Sequence, residues 1–234
     1  MANIPFLIGK SSDNSSVRQD LLDMQHLFIS YLETEQYHRL VADALKDLGR
    51  KREELYFATA VSKECYTRVQ HLMFHDPVAR HFIKMDEHSA SKQQFIRSLL
   101  TLLKYRQKNY MATGQPPARI IILIEDVFDL IIPDKKGVGN QFLQLLLQGP
   151  AYGMHMIIGS IRTYRNLLTQ LIHLDLHPRL RKQFGDVFNS NEPLGAELIL
   201  NADDLVFYKS RQDFDYRRYF ASSEGERKML DVVE

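Results

Sequence analysis

One cysteine, Cys65, stands alone in 234 residues. A lone thiol excludes an internal disulfide and a multi-cysteine metal site, and it suits a reducing compartment. An excess of either charge is also lacking: 30 basic residues against 29 acidic ones leave a formal net charge of +1. Nothing global draws such a chain to nucleic acid or to an anionic membrane, so any contact of that kind has to be local. No apolar run reaches the roughly 18 residues that a membrane-spanning helix needs. The opening MANIPFLIGKSSDNSS lacks the basic-then-apolar order of a signal peptide. Internal repeats, low-complexity tracts and interdomain linkers are missing too. The expectation is a cytoplasmic chain with no membrane insertion by this segment, whether a whole protein or the cytoplasmic part of a larger, membrane-tethered one.

What is present is ordinary for a folded domain: 44% hydrophobic and 25% charged residues. The most informative stretch is Arg119 to Ile132. Ile120 to Ile124 form an unbroken apolar run that stops at Glu125 and Asp126. Such a β-branched run predicts a strand buried on both faces, central in a parallel sheet. Acids at the carboxyl end of that strand lie along the edge where open α/β sheets bind ligands.

Other strands are predicted at 4–8, 26–30, 54–61 and 155–161. Between them, Leu40, Val41, Ala44, Leu45 and Leu48 recur at helical spacing, with Thr34 as N-cap and Gly49 as C-cap. Ser62 opens a helix toward Phe74, and Asp76-Pro77 opens another. Residues 17–24 read as a short extended or helical approach, and 140–148 and 164–174 as helices. The helix over 89–112 sets Phe95, Leu99, Leu102, Leu103 and Tyr110 on one side. Its basic residues, Lys92, Arg97, Lys104, Arg106 and Lys108, lie largely on the other. Short strands at 186–189, 204–209 and 216–221 follow, the last two joined by a polar turn at 210–215. Strands alternating with helices, then a terminal hairpin, predict one α/β domain over 1–234: three layers and a mostly parallel sheet with a C-terminal antiparallel hairpin.

Five stretches, in order, carry a resemblance to the motor domain of FtsK/SpoIIIE-type DNA translocases, with type VII secretion ATPase domains nearly as similar. They are Leu7–Lys10 with Asp20–Ser30, Ile120–Asp129, Gln148–Ser160, Ala196–Phe207 and Arg217–Glu224. The resemblance implies a RecA-like P-loop NTPase fold. It places Glu125 and Asp126 at the Walker B position, Ser160 at the sensor position, and the phosphate-binding loop at Tyr31 to His38. A P-loop needs glycines so that backbone N–H groups can wrap the phosphates, a lysine for charge and a Ser or Thr for magnesium. Residues 31–38 read Tyr-Leu-Glu-Thr-Glu-Gln-Tyr-His, with no glycine, no lysine and two acids. Gly9-Lys10-Ser11 is a decoy, because its first glycine would fall at Ile4. The Walker B order is also exchanged, with Glu125 where Asp is usual and Asp126 where Glu is usual. At the sensor, Ile161 follows Ser160 where the family has Gln.

The expectation is therefore a pseudo-ATPase that keeps the scaffold and has lost the phosphate grip. Thr34, Glu35, Gln36, Tyr37 and His38 mark the vestigial loop position, and no cofactor is expected. Its partners would be another FtsK-like ATPase domain or ring neighbours. One alternative is an active translocase, with Glu125 on magnesium, Asp126 as base and phosphate contacts from a partner. Another is a type VII-like secretion docking domain.

Other groups are weighed against plainer roles. His71 and His75 share a helix face with no third metal ligand, and His173, Asp175 and His177 read equally well as a polar loop, so no metal site is expected. Cys65 lacks a base and reads as a half-buried helix cysteine. Asp129 reads as a cap or sheet-end residue. Arg162 and Arg165 sit where a trans-acting arginine would reach a neighbour's nucleotide, or simply at a solvated helix start. Arg50-Lys51-Arg52 and Arg179, Arg181 and Lys182 would meet DNA if the domain joins a ring, with binding falling steeply with salt.

Overall fold

The computed structural model describes residues 4–48, 55–65, 67–68, 89–131, 137–172, 178–189, 194–201, 205–213 and 215–220. The chain begins with an antiparallel pair, β1 (Pro5–Lys10) and β2 (Ser16–Asp20). A four-residue helix α1 (Leu21–Met24) follows, and the Asp20 carboxylate caps it by accepting from Leu22 N–H. The alternating parts of the fold then follow in order. They are β3 (Leu27–Ser30), α2 (Thr34–Leu48), β4 (Leu55–Ala60), α3 (Ser89–Thr113), β5 (Arg119–Ile124), α4 (Val127–Ile131) and α5 (Val138–Gln148). After a 3-10 turn at Pro150–Tyr152 come β6 (Met154–Ser160), α6 (Tyr164–Ile172), α7 (Pro178–Asn189), β7 (Ala196–Leu200), β8 (Leu205–Lys209) and β9 (Arg217–Phe220).

Among the described residues these strands form one sheet in the order β2-β1-β9-β8-β7-β3-β6-β5-β4. The five from β7 to β4 run parallel. The remaining pairings are antiparallel, so the terminal hairpin β8–β9 is there as expected. The antiparallel flank goes beyond that hairpin, because β1 pairs with β9 and brings β2 with it. The fold is the expected α/β one, with helices on both faces of the sheet.

Burial shows how the layers are made. Ile120, Ile122 and Ile124 of β5 face α3, α4, α5 and α6, in a core with Phe95, Leu99, Leu103, Phe142 and Leu146. Ile121 and Leu123 point to the opposite face, where Tyr37, Leu40, Val41, Ala44 and Leu45 of α2 pack with Leu21 and Met24 of α1. A strand sandwiched in this way must be apolar at every position, which explains the unbroken run.

Several expectations need correction. β5 is not central but second from one edge; helices cover both its faces, so burial alone could not report its place in the sheet. Residues 186–189 are not a strand but the last turn of α7. Pro178 preorganises the first turn of that helix, and Leu180, Phe184, Val187 and Phe188 recur at helical spacing. The strand β7 at 196–200 and the short helix α4 add elements that the sequence reading did not assign. On α3, Tyr110 is exposed and Arg106 is buried, the reverse of their expected sides. Arg106 lies seven residues after Leu99 and three after Leu103, hence on their face, and its guanidinium donates to the carbonyls of Ala118 and Tyr152. Gly49, Arg50–Arg52, His71, His75, the helix start at Asp76, His173, Asp175 and His177 lie outside the described residues.

Candidate functional site

Three residues, Tyr31 to Glu33, connect β3 to α2. The backbone N–H of Tyr31 still donates to Ser160 O at 3.0 Å, so the chain leaves β3 along the sheet direction and turns at once into the helix. Thr34 is the first helical residue rather than the cap before it. Glu35 lies in the first turn of α2, where the helix dipole favours an anion. It is already paired with Arg68 at 2.6 Å and with Arg39 at 3.3 Å, and the Arg68 hydrogen bond foremost holds its carboxyl below the usual range. Gln36 Nε2 donates to Asn201 O at 2.8 Å.

Tyr37 and His38 point into the protein. Both are buried, as is Tyr31. The Tyr37 hydroxyl donates to Ile124 O at 2.9 Å and the Tyr31 hydroxyl to Glu125 O at 3.0 Å. These are carbonyls at the carboxyl end of β5, and two phenols satisfy them. The rings stand 5.0 Å apart, and burial, with the nearby acids adding, pushes both phenols well above the usual tyrosine range.

Strand alternation decides where Glu125 goes. With Ile121 and Leu123 on the α2 face, Glu125 continues that row and turns under α2. His38 Nε2 lies 2.7 Å from its Oε1. Ser62 donates twice to the same carboxylate, through its backbone N–H to Oε2 and through its hydroxyl to Oε1 at 3.1 Å. Ser62 also receives Cys65 N–H at 3.2 Å, the capping bond expected of a residue that opens a helix. Cys65 is fully buried, not half-buried, and burial pushes its thiol far above the usual range. His38, Cys65 and Glu125 thus meet with ligand atoms all within 4.8 Å of one another. Cys65 and Ser62 were not expected at this site. The clue was in the sequence: Glu125 has the parity of Ile121 and Leu123.

The other anticipated residues are placed differently. Asp126 turns away from that cluster and caps α4, its Oδ1 accepting Phe128 N–H at 2.9 Å. Asp129 sits one turn on, in the same short helix. The buried Ser160 hydroxyl accepts Arg162 N–H at 2.8 Å. The Arg162 guanidinium lies 4.8 Å over the Phe128 ring. Arg165, Arg179, Arg181 and Lys182 are exposed on α6 and α7.

Gly159 of β6 is the tightest point. A Cβ there would run into Glu125 O and come within 2.6 Å of the Tyr37 ring. A glycine inside a strand at such an approach is a packing requirement. Gly159→Ala is expected to lower stability by about 2–3 kcal/mol, read as an earlier urea midpoint at unchanged slope.

No protein-family model matches the chain. The FtsK DNA translocase of Treponema pallidum is 26% identical over 140 residues, covering 58% of this chain and 17% of that protein. The chain spans less than a third of the length of the curated relatives it matches. Among solved structures, the cytoplasmic domain of the type VII secretion ATPase EccC from Thermomonospora curvata superposes with a TM-score of 0.60 at 11% identity. That match covers 94% of this chain and 26% of EccC. The pCW3 conjugation coupling protein TcpA, solved with ATPγS, also gives 0.60 at 11% identity, over 100% of this chain and 71% of TcpA. In sequence this chain is similar to FtsK DNA translocases over part of its length, and its α/β fold is similar to those of EccC and TcpA, in keeping with the expected RecA-like architecture.

Proposed function

We propose that this domain is a pseudo-ATPase: an FtsK-like scaffold that serves as a structural or regulatory partner of an active DNA- or protein-translocating motor. One observation carries the reading. The bend that should cradle a triphosphate is three residues long, and Tyr31 within it and Tyr37 and His38 after it are turned inward to hold Glu125 and the end of β5. The residues at this position do not fit MgATP. Amide hydrogens can wrap a phosphate only where the chain adopts conformations that glycine permits, and Tyr31, Leu32 and Glu33 carry side chains. The helix end that would face the anion carries its own carboxylate, and no lysine lies between Ser30 and His38.

The edge left by this closure fits a protein neighbour. Leu32 is 65% exposed and Ile161 59% exposed. Leu32 lies two residues past Ser30 and Ile161 one past Ser160, and those serines are paired across β3 and β6, so both apolar residues lie at the same carboxyl edge of the sheet. This favours docking of a ring neighbour or another ATPase domain there. It also keeps a secretion-type docking role as the second reading. A cytoplasmic location, on its own or attached to a membrane-bound assembly, belongs to the same proposal; no helix among the described residues is long and apolar enough to cross a membrane.

Titration of the protein with ATP and magnesium tests the reading. The expected result is no saturable binding, with a dissociation constant above about 1 mM, equivalent to less than about 4 kcal/mol. Micromolar affinity, or steady turnover by the isolated domain, would overturn it in favour of an active translocase with an atypical site.

A further inference from the structure

We propose that His38, Cys65 and Glu125 form a binding site for a zinc ion. The trio comes from three separate parts of the chain: the first turns of α2, the helical turn that Ser62 opens after β4, and the carboxyl end of β5. All three residues are buried, and one ligand atom from each lies within 4.8 Å of the others. Tetrahedral zinc, with bonds of about 2.0 Å to nitrogen or oxygen and 2.3 Å to sulfur, needs its ligand atoms about 3.3–3.6 Å apart. Small side-chain rotations close that difference, and the His38–Glu125 pair, now 2.7 Å apart, opens by less than about 1 Å.

The surroundings are those of a supported ligand set. Ser62 grips Glu125 through two hydrogen bonds and receives Cys65 N–H, so one residue orients two of the three donors. The donor chemistry selects the metal. An imidazole nitrogen, a thiol sulfur and one carboxylate suit zinc, whereas magnesium seeks oxygen ligands and near-octahedral water. This is therefore a different kind of site from the magnesium position that the family resemblance implies for Glu125. Three protein donors leave the fourth position to water. Bound zinc would tie α2 to β5 and to the Ser62 turn. In this way the ion would hold shut the space a nucleotide would need.

Cobalt serves as the spectroscopic stand-in. Chelator-treated, reduced protein titrated with Co²⁺ is expected to bind one equivalent with a thiolate-to-cobalt charge-transfer band, bleached by added Zn²⁺. Because the chain holds one cysteine, that band can arise only from Cys65. Cys65→Ser is expected to abolish the band, and His38→Gln to weaken Zn²⁺ binding at least tenfold against a fluorescent chelator. Zn²⁺ should raise the urea midpoint of the wild type and leave that of Cys65→Ser unmoved. A cobalt complex without the charge-transfer band, or zinc affinity unchanged by Cys65→Ser, would place the ion outside this trio and overturn the proposal. Should either variant fail to fold, the wild-type cobalt spectrum decides alone. The MgATP titration is a separate measurement, so a failure here leaves the pseudo-ATPase reading untouched, and the reverse also holds.

Discussion

Glu125→Ala, measured by urea unfolding in the presence of a chelator, is expected to destabilise the protein by about 3–5 kcal/mol. The carboxylate is buried and accepts from His38, from Ser62 N–H and from the Ser62 hydroxyl. Removing it leaves three polar groups facing a cavity, and each unsatisfied buried donor costs about 1–3 kcal/mol. Glu125→Gln keeps the shape and one acceptor oxygen, so about 1–2 kcal/mol is expected for it. The two readings of this residue give opposite signs. An acid kept for magnesium catalysis is typically a stability liability, and its removal leaves the fold unchanged or firmer. A double-mutant cycle with His38→Ala isolates the pair: strong coupling is expected here, and additive effects would refute the structural role.

Acid is expected to unfold the protein through His26. Burial foremost pushes this imidazole down to about 3 from its usual 6.5, and the neighbouring His155 adds to the effect. The geometry explains why the neutral ring is required. Met156 N–H donates to its Nδ1 at 3.1 Å, so Nδ1 carries no proton, and Nε2–H donates to Leu146 O at 2.9 Å. A proton on Nδ1 would face the Met156 N–H head-on. The direction of the effect follows from the lowered folded-state value. Between about pH 6.5 and pH 3 the unfolded chain binds the proton and the folded chain does not. Stability is therefore complete above pH 6.5 and lost progressively as pH falls, on the order of 5 kcal/mol by pH 3. Burial lowers His155 as well, and it acts in the same sense. Urea midpoints measured from pH 7 down to pH 4 check this. A flat profile would refute the prediction, and a slope unchanged in a folded His26→Gln variant would assign the acid sensitivity to other groups.

Much of the architecture could be read from local pattern. The runs at Ile120–Ile124 and Met156–Ile158 have no polar alternation because both faces of their strands are covered. The heptad-like spacing of Leu40, Val41, Ala44 and Leu45 matches the stripe that α2 buries. Pattern misled where an amphipathic helix was short and rich in β-formers. Val187 and Phe188 suggest a strand over four residues and a helix only when counted back to Pro178. It also misled at Arg106, where a long side chain keeps its charge while lying on an apolar face, because two carbonyls wait for it.

The site divides along the same line. That residues 31–38 hold neither glycine nor lysine is a matter of residue identity, and no packing can supply backbone freedom or an ammonium group that the chain does not carry. The strand ending at two acids, and the parity that sends Glu125 to one face, likewise follow from order along the chain. What Glu125 meets there does not follow. His38, Ser62 and Cys65 reach it because β4 lies beside β5 and α2 crosses that face, and strand order in a sheet depends on contacts between residues far apart in sequence. The same holds for the antiparallel flank, where β1 finds β9 from opposite ends of the described chain. Periodicity reports which side of an element is buried; only the assembled sheet chooses the neighbour it is buried against.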